Sequence, residues 1–176
     1  MRLPAGARAT AWHDSSVPRI ATIGVYELDA ARFISMLNGA GVTQVIDIRQ
    51  RRGVRGPQYA WANARRLQAL LSAARIGYEY HRELAPTTEL RQLRYRDDER
   101  QGVGKRSRVR LSSEYIRRYT AEILDRAPLE LLLARLPVDG IGALMCLEAT
   151  PEACHRSLVG QRLTERDGFE LIHLLA

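Results

Sequence analysis

Residues 141–156 read IGALMCLEATPEACHR, and the fold of the whole chain can be argued outward from them. Residues 141–147 are the most apolar run in the sequence, which is typical of a strand buried on both faces of a parallel sheet. Thr150, Pro151 and Glu152 then suit a helix start, with Thr150 as the cap, Pro151 in the first turn and Glu152 near the positive end of the helix dipole. The stretch therefore predicts a strand that leads directly into a helix ending near Gly168.

The same alternation of strand and helix extends along the chain. Strands alternating with helices form a parallel sheet that is covered on both faces. We therefore expect an α/β fold, in which residues 1–176 form a single three-layer α/β/α domain. Its sheet should be mostly parallel with about five strands, and the domain should be Rossmann-like or flavodoxin-like. The other predicted strands are residues 20–24, 42–48, 78–81 and 169–173, and the other helices begin at Asp29, at Asn63, at Ser112 or Ser113, and at Pro128.

Two segments do not follow this pattern. Residues 1–18 are expected to be loosely ordered. Residues 82–111 have no sustained apolar period and are dense in charge, so they predict a long charged excursion, either functional or mobile. In the helix that follows, Tyr115, Ile116, Tyr119 and Ile123 are expected to face the core.

The composition indicates the cellular location of the protein and the kinds of molecule that it could bind. The net charge of +7 and the isoelectric point near 10.0 favour an anionic small molecule or a nucleic acid as partner, although nearly all the basic residues are arginine. There is no long apolar run and no secretory signal pattern, which predicts a cytoplasmic protein without a membrane segment. The two cysteines predict reduced thiols rather than a disulfide framework. No dinucleotide, P-loop or metalloprotease motif occurs, so no cofactor is expected. The oligomeric state is left open.

Polar side chains gather where the predicted strands end. The carboxyl ends of parallel strands share one edge of the sheet, and ligands bind there. Carboxylates, thiols, imidazoles and guanidinium groups are therefore expected at one rim. The residues are Val25 and Tyr26, Asp47 and Arg49, His81 and Glu83, Cys146 and Glu148, and His173, joined by Cys154, His155 and Arg156 at the following helix.

Four short motifs are distributed along the chain. They are Thr22-Ile-Gly24, Asp47-Ile-Arg49, Pro57-Gln58-Tyr59 and the block from Cys146 through Glu148 and Pro151 to Cys154-His155-Arg156. Together these motifs resemble an uncharacterised, mainly bacterial family, the domain of unknown function DUF488. The resemblance covers most of the chain and implies the same fold and site location, without implying a reaction. One departure is that Val25 and Tyr26 stand where the family usually has His and Ser.

Each candidate of the Cys-His-Arg block has two interpretations. Cys154, predicted about one turn inside a helix N-terminus, is either a nucleophile or ligand, or a small buried side chain. His155 is either a general base or a core histidine held by Glu148 or Asp47. Glu148 is either a general acid or base, or a cap of the helix. Cys146, Cys154 and His155, with His81 or His173, have the chemistry of metal ligands, but their spacing is not that of a structural zinc motif, so no metal site is predicted.

The basic residues after the second strand also have two interpretations. Asp47 and Arg49 are two apart on a strand and share a face, so Asp47 either orients Arg49 toward an anion or closes an internal salt bridge. Arg51, with Arg52 and Arg55 near Gln58 and Tyr59, could grip a nucleotide or a single strand.

The leading hypothesis is an enzyme that acts on an anionic, phosphate-bearing substrate such as a nucleotide or nucleic acid. Arg49 and Arg156 would clamp the anion, Glu148 and His155 would move protons, and Cys154 would be the nucleophile or its support. The alternatives are a nucleic-acid-binding accessory domain without turnover and a protein-interaction module that docks through its central segment.

Overall fold

The computed structural model of the chain describes residues 17–104 and 106–176. Its strands and helices alternate along most of the chain. The strands are Arg19–Ile23 (β1), Val42–Asp47 (β2), Gly77–Tyr80 (β3), Ile141–Met145 (β4) and Glu170–Leu174 (β5). The helices are Ala30–Gly39 (α1), Ala64–Ala73 (α2), Thr88–Gln101 (α3), Ser113–Tyr119 (α4), Leu129–Leu133 (α5) and His155–Asp167 (α6).

The five strands form one sheet in the order β3-β2-β4-β1-β5, and every pair is parallel. This confirms the predicted three-layer α/β fold. In Rossmann and flavodoxin sheets the first two strands are neighbours. Here β4 lies between β1 and β2, so the connectivity is neither of these. All five residues of β4 are buried, as expected for the central strand.

Helices cover both faces of the sheet. On one face Phe33 and Leu37 of α1 and Leu67 and Leu71 of α2 pack against alternate residues of the strands. The other face is covered by apolar side chains of α3, α4, α5 and α6, including Tyr115, Leu132 and Leu163. The residues after β2 therefore lead to one face and those after β4 lead to the other.

Helix α3 corrects the prediction that residues 82–111 are irregular. Thr87 caps this helix through a hydrogen bond to the backbone of Leu90, and Gly102 ends it in the left-handed conformation. The apolar stripe is only Leu90 and Leu93, because further along the same helix the buried residues are Asp97 and Asp98. A helix that buries carboxylates lacks the apolar period by which helices are predicted.

Two predicted helix details are also wrong. Cys154 does not lie inside a helix capped by Thr150: a 3-10 turn spans Pro151–Ala153, and α6 begins at His155 with Cys154 in the cap position. In α4 the buried residues are Tyr115 and Tyr119, while Ile116 is 38% exposed. A π-helical turn over Thr120–Leu124 then inserts an extra residue, so Leu124 is buried in place of the predicted Ile123, which is only partly buried.

The expectation that residues 1–18 are loosely ordered falls, up to residue 16, outside the described residues. Within residues 17–104 and 106–176, none of the helices combines the length and the apolar composition that crossing a bilayer requires.

Candidate functional site

The candidate site is a cavity of about 520 Å³ at the carboxyl ends of β2 and β4. After β2 the chain proceeds toward α2 on one face of the sheet, and after β4 it proceeds to α6 on the other face, which opens a crevice at the rim. The segment after β2 and helix α3 form the two walls, and the residues after β4 form the floor.

The walls of this cavity are strongly basic. Six arginines line it, against one carboxylate, that of Glu148. Four of the six have no ion-pair partner in the described part of the chain: Arg51, Arg55, Arg91 and Arg106. The other two, Arg49 and Arg94, are paired with carboxylates.

The floor brings together Cys146, Cys154 and His155. Nδ1 of His155 lies 3.9 Å from Sγ of Cys146 and 3.9 Å from Sγ of Cys154. Nε2 of His155 lies 3.1 Å from the carbonyl oxygen of Ile48. Since a carbonyl only accepts, Nε2 carries the proton of this hydrogen bond. His155 is thus held by Ile48, not by Glu148 or Asp47 as the sequence suggested.

The two thiols affect each other's protonation. Burial disfavours the Cys154 thiolate, but a hydrogen bond from Cys146, with His155 and Arg156 nearby, lowers the pKa of Cys154 well below its usual value. The same hydrogen bond, together with burial, raises the pKa of Cys146 well above its usual value. Cys146 and His155 line the cavity, whereas Cys154 lies behind them.

A chain of buried ion pairs fixes the edge of the floor. One carboxylate oxygen of Glu148 binds both Arg94 and, at 3.2 Å, Arg108. Arg108 is in turn held by both carboxylate oxygens of Asp98. The second oxygen of Glu148 lies 3.7 Å from Sγ of Cys146. Glu148 therefore links the arginines of the wall to the thiols of the floor.

Arg49 is fully engaged by its own surroundings. Its Nε and one terminal nitrogen bind the two Asp47 oxygens at 2.9 and 2.7 Å, and the other terminal nitrogen binds the carbonyl of Ala62 at 2.9 Å. Tyr78 donates a further hydrogen bond to Asp47 at 2.7 Å. Arg49 is only 2% exposed. The pair thus ties the end of β2 to the following turn and presents one face of the guanidinium to the cavity.

Three predicted substrate-binding residues do not line the cavity. Arg156 is wholly buried and donates to the carbonyl oxygens of Glu148 and Ala149, which holds the turn after β4. Gln58 is exposed on the 3-10 turn Pro57–Ala62. Tyr59 packs against Tyr26, with ring centroids 5.2 Å apart, and it is Tyr26 that lines the cavity.

The other two histidines in the described residues lie apart from this floor. His81 is hydrogen-bonded to Glu79 and Glu83, at 3.1 and 2.7 Å. Nδ1 of His173 and the Thr22 hydroxyl share a hydrogen bond of 2.7 Å, between β5 and β1. Neither could complete a ligand set with Cys146, Cys154 and His155.

Sequence reasoning missed the contribution of α3. Arg91, Arg94 and Tyr95 line the cavity from this helix, and Asp98 holds Arg108 one turn later. Their spacing of three and four residues puts them on one helix face. Polar residues spaced three and four apart within residues 82–111 could have predicted this helix. A search for an apolar period does not detect it, because only two of its buried residues are apolar.

The family model described as domain of unknown function DUF488 matches residues 29–163, more than half of the chain. The match includes β2, all of the cavity arginines and the block from Cys146 to Arg156. The comparisons with curated proteins and with solved structures gave no match.

Proposed function

Since the chain belongs to the DUF488 family, whose description names no function, we propose from the site itself that it is an enzyme acting on a small phosphate-bearing substrate, such as a nucleotide. The observation that carries the proposal is the excess of six arginines over one carboxylate around a single cavity. Guanidinium groups bind phosphate oxygens through pairs of parallel hydrogen bonds, so such a wall suits a phosphate group.

The four arginines without an ion-pair partner are the proposed phosphate ligands. Arg51 and Arg55 come from the segment after β2, Arg91 comes from α3, and Arg106 from the segment after α3, so they approach the cavity from different sides. Arg91 is oriented by hydrogen bonds to Gln50 at 2.5 Å and to Tyr95 at 2.7 Å. Arg49 supports the wall through Asp47, and Arg156 supports the floor, so both take a positioning role rather than the clamp that the sequence suggested.

The size of the cavity favours a small ligand over a nucleic acid strand. A volume of about 520 Å³ lies in the range of small-molecule sites, whereas a strand needs an extended basic groove. Tyr26 lines the cavity, and the guanidinium of Arg106 lies over its ring, 5.4 Å from the ring centre. This cation–π contact orients Arg106, one of the proposed phosphate ligands.

The reacting groups of the proposed enzyme are those of the floor: Cys146, Cys154, His155 and Glu148. Cys146, His155 and Glu148 line the same cavity as the free arginines, so a bound phosphate ester would lie beside them. Three titratable groups that converge on a closed end of a basic cavity are the arrangement expected of a catalytic site.

Calorimetric titration of adenosine and guanosine monophosphates tests the binding step. We expect the double substitution Arg51→Gln/Arg55→Gln to weaken binding by about tenfold or more, because each charge-assisted hydrogen bond contributes roughly 1.5–3 kcal/mol. The matched control is Arg65→Gln/Arg66→Gln on the exposed side of α2, which removes the same charge away from the cavity.

Three results would count against the proposal. Equal loss in both double variants would mean that only net charge matters. Binding of single-stranded oligonucleotides, with a steep salt dependence and no binding of mononucleotides, would favour the accessory-domain alternative. No binding of either ligand by folded protein would favour a protein-interaction module.

A further inference from the structure

We propose that Cys146 Sγ, Cys154 Sγ and His155 Nδ1 bind one zinc ion whose fourth position faces the arginine-lined cavity. The inference deepens the proposed function, on which its catalytic purpose rests, because the ion would be the reacting group beside the bound phosphate. It assigns Cys154 the role of ligand, one of the two roles that the sequence left open, and it replaces the expectation of no metal site.

The two sulfur-to-nitrogen distances lie close to those of a tetrahedral zinc site. The three ligand atoms all lie within 4.8 Å of one another, and both sulfur-to-nitrogen distances are 3.9 Å. Zinc bonds of about 2.3 Å to sulfur and about 2.0–2.1 Å to nitrogen require ligand atoms roughly 3.6–3.8 Å apart. Only a few tenths of an ångström separate the observed sulfur-to-nitrogen distances from that geometry.

The orientation of His155 is that of a metal ligand. Zinc-binding histidines usually donate the other ring N–H to a carbonyl or carboxylate, which fixes the ring and the tautomer. His155 does this with the carbonyl of Ile48 at 3.1 Å, so that Nδ1 is turned toward both sulfurs equally. A disulfide between the two cysteines would leave Nδ1 of this imidazole without a ligand to bind, while Nε2 kept its hydrogen bond to Ile48.

Two unpaired buried donors support an open fourth position. The Tyr115 hydroxyl and Nε of Arg94 are buried without a hydrogen-bond partner in the described part of the chain. Both groups interact electrostatically with both thiols. Buried donors normally have partners, and a water, hydroxide or phosphate oxygen bound to the metal would supply one. Three protein ligands with one open position are the pattern of catalytic zinc, whereas structural zinc has four.

Metal analysis of wild-type protein purified under reducing conditions tests the site. We expect about one zinc per chain, and in protein reloaded with cobalt we expect the absorption bands of tetrahedral thiolate coordination. His155→Gln and Cys154→Ser should each lower zinc affinity by at least ten- to hundredfold. The loss of a residue that only orients a metal ligand already costs this much, and these substitutions remove a ligand itself. His173→Gln, which removes a histidine outside the group, should keep the zinc.

A chelator titration of the wild type covers the case in which a variant fails to fold. Removal of zinc should lower the melting temperature, and added zinc should restore it. The proposal is wrong if the reduced protein binds no zinc, if the isolated protein holds a disulfide between Cys146 and Cys154, or if zinc stays bound in His155→Gln and Cys154→Ser.

These experiments test the nucleotide site and the zinc site independently of each other. Arg51→Gln/Arg55→Gln should lose nucleotide binding and keep zinc. The chelated protein should lose zinc and still bind mononucleotides, because the four free arginines are not metal ligands. Wild-type protein that holds zinc but binds no mononucleotide would overturn the proposed substrate class alone. Wild-type protein that binds mononucleotides but takes up no zinc when it is reduced and zinc is supplied would overturn the metal site alone.

Discussion

Asp47 holds the cavity residue Arg49 in place through a buried ion pair. Its carboxylate is inaccessible to solvent and holds Arg49 through both oxygens, with Tyr78 as a further donor. Removal of one partner from a buried ion pair leaves the other charge buried and uncompensated, which costs far more than the pair itself contributes. Burial, together with the charge of Asp47 and the hydrogen bond that Tyr78 donates to it, raises the pKa of Tyr78 to about 12.

We therefore expect Asp47→Ala to lower the free energy of unfolding by about 3–5 kcal/mol, as measured by urea denaturation. Asp125→Ala is the matched control, because Asp125 pairs with Arg162 on the surface and such pairs contribute about 0–1 kcal/mol. Similar small losses in both variants would mean that Arg49 gains solvent or another partner, and that Asp47 is not needed to bury it.

At the scale of elements, the floor depends on how closely two strand ends approach. Gly24 follows β1, and the chain after β4 crosses it at Glu148. A Cβ atom at position 24 would lie 2.1 Å from the carbonyl oxygen of Glu148 and 3.2 Å from Cα of Ala149. The same carbonyl accepts a hydrogen bond from Arg156. The glycine of Thr22-Ile-Gly24 is thus required by main-chain packing beside the site.

Gly24→Ala should force the Glu148 backbone away and destabilise the fold by roughly 1–3 kcal/mol or more, the cost of overpacking. The variant should also weaken nucleotide binding, because a shift of Glu148 would displace Arg94, which pairs with Glu148 and lines the cavity. Gly39→Ala is the control, because its Cβ would meet nothing within 4 Å. Thermal unfolding and calorimetry on the two variants compare the effects, and unchanged stability in Gly24→Ala would contradict this account.

The elements also show what local sequence can and cannot reveal. Strands such as β4, and helices such as α1 with its Phe33 and Leu37, were predicted because their burial produces an apolar period. Helix α3 was missed because it buries Asp97 and Asp98, whose partners Ser112 and Arg108 lie beyond the end of the helix. Polar burial depends on such partners in other segments, which the period of the helix itself does not contain.

At the scale of the whole molecule, the sequence predicts that polar residues gather at one edge of the sheet, but not which of them contact each other. The polar residues after β2 and β4 were expected to meet because parallel strands end at one edge. Nothing local indicates that β4 enters between β1 and β2, which brings Cys146 beside Ile48 and sets His155 against its carbonyl. Glu148 and His155 both line the cavity, and the contacts that each of them makes follow from the strand order.

The stability of the molecule should also depend on His173. Burial, and to a lesser extent Arg156, lower the pKa of His173 below its usual 6.5. The unfolded chain therefore takes up this proton at a higher pH than the folded chain does, so stability is complete above about pH 6.5 and falls as the pH drops toward the lowered pKa. His173 also joins β5 to β1 through the hydrogen bond between its Nδ1 and the Thr22 hydroxyl.

Urea unfolding between about pH 7 and pH 5 should show a steeper loss of stability in the wild type than in His173→Gln, which has no proton to bind. Because His173 is only partly buried, solvent screening keeps the difference small. Parallel pH dependences in the two proteins would show that His173 does not contribute.

The central position of β4 has a consequence for how the protein is made. Both β1 and β2 pair with β4 rather than with each other, so residues 17–140 contain no strand that can join the two halves of the sheet. As the chain leaves the ribosome, β4 is the segment that joins the two halves of the sheet, before β5 adds to the edge beside β1, and Cys146 and Cys154 follow β4 directly. A ribosome that stalls earlier releases a fragment with neither a complete sheet nor a thiol, so partly synthesised chains cannot bind metal through these cysteines.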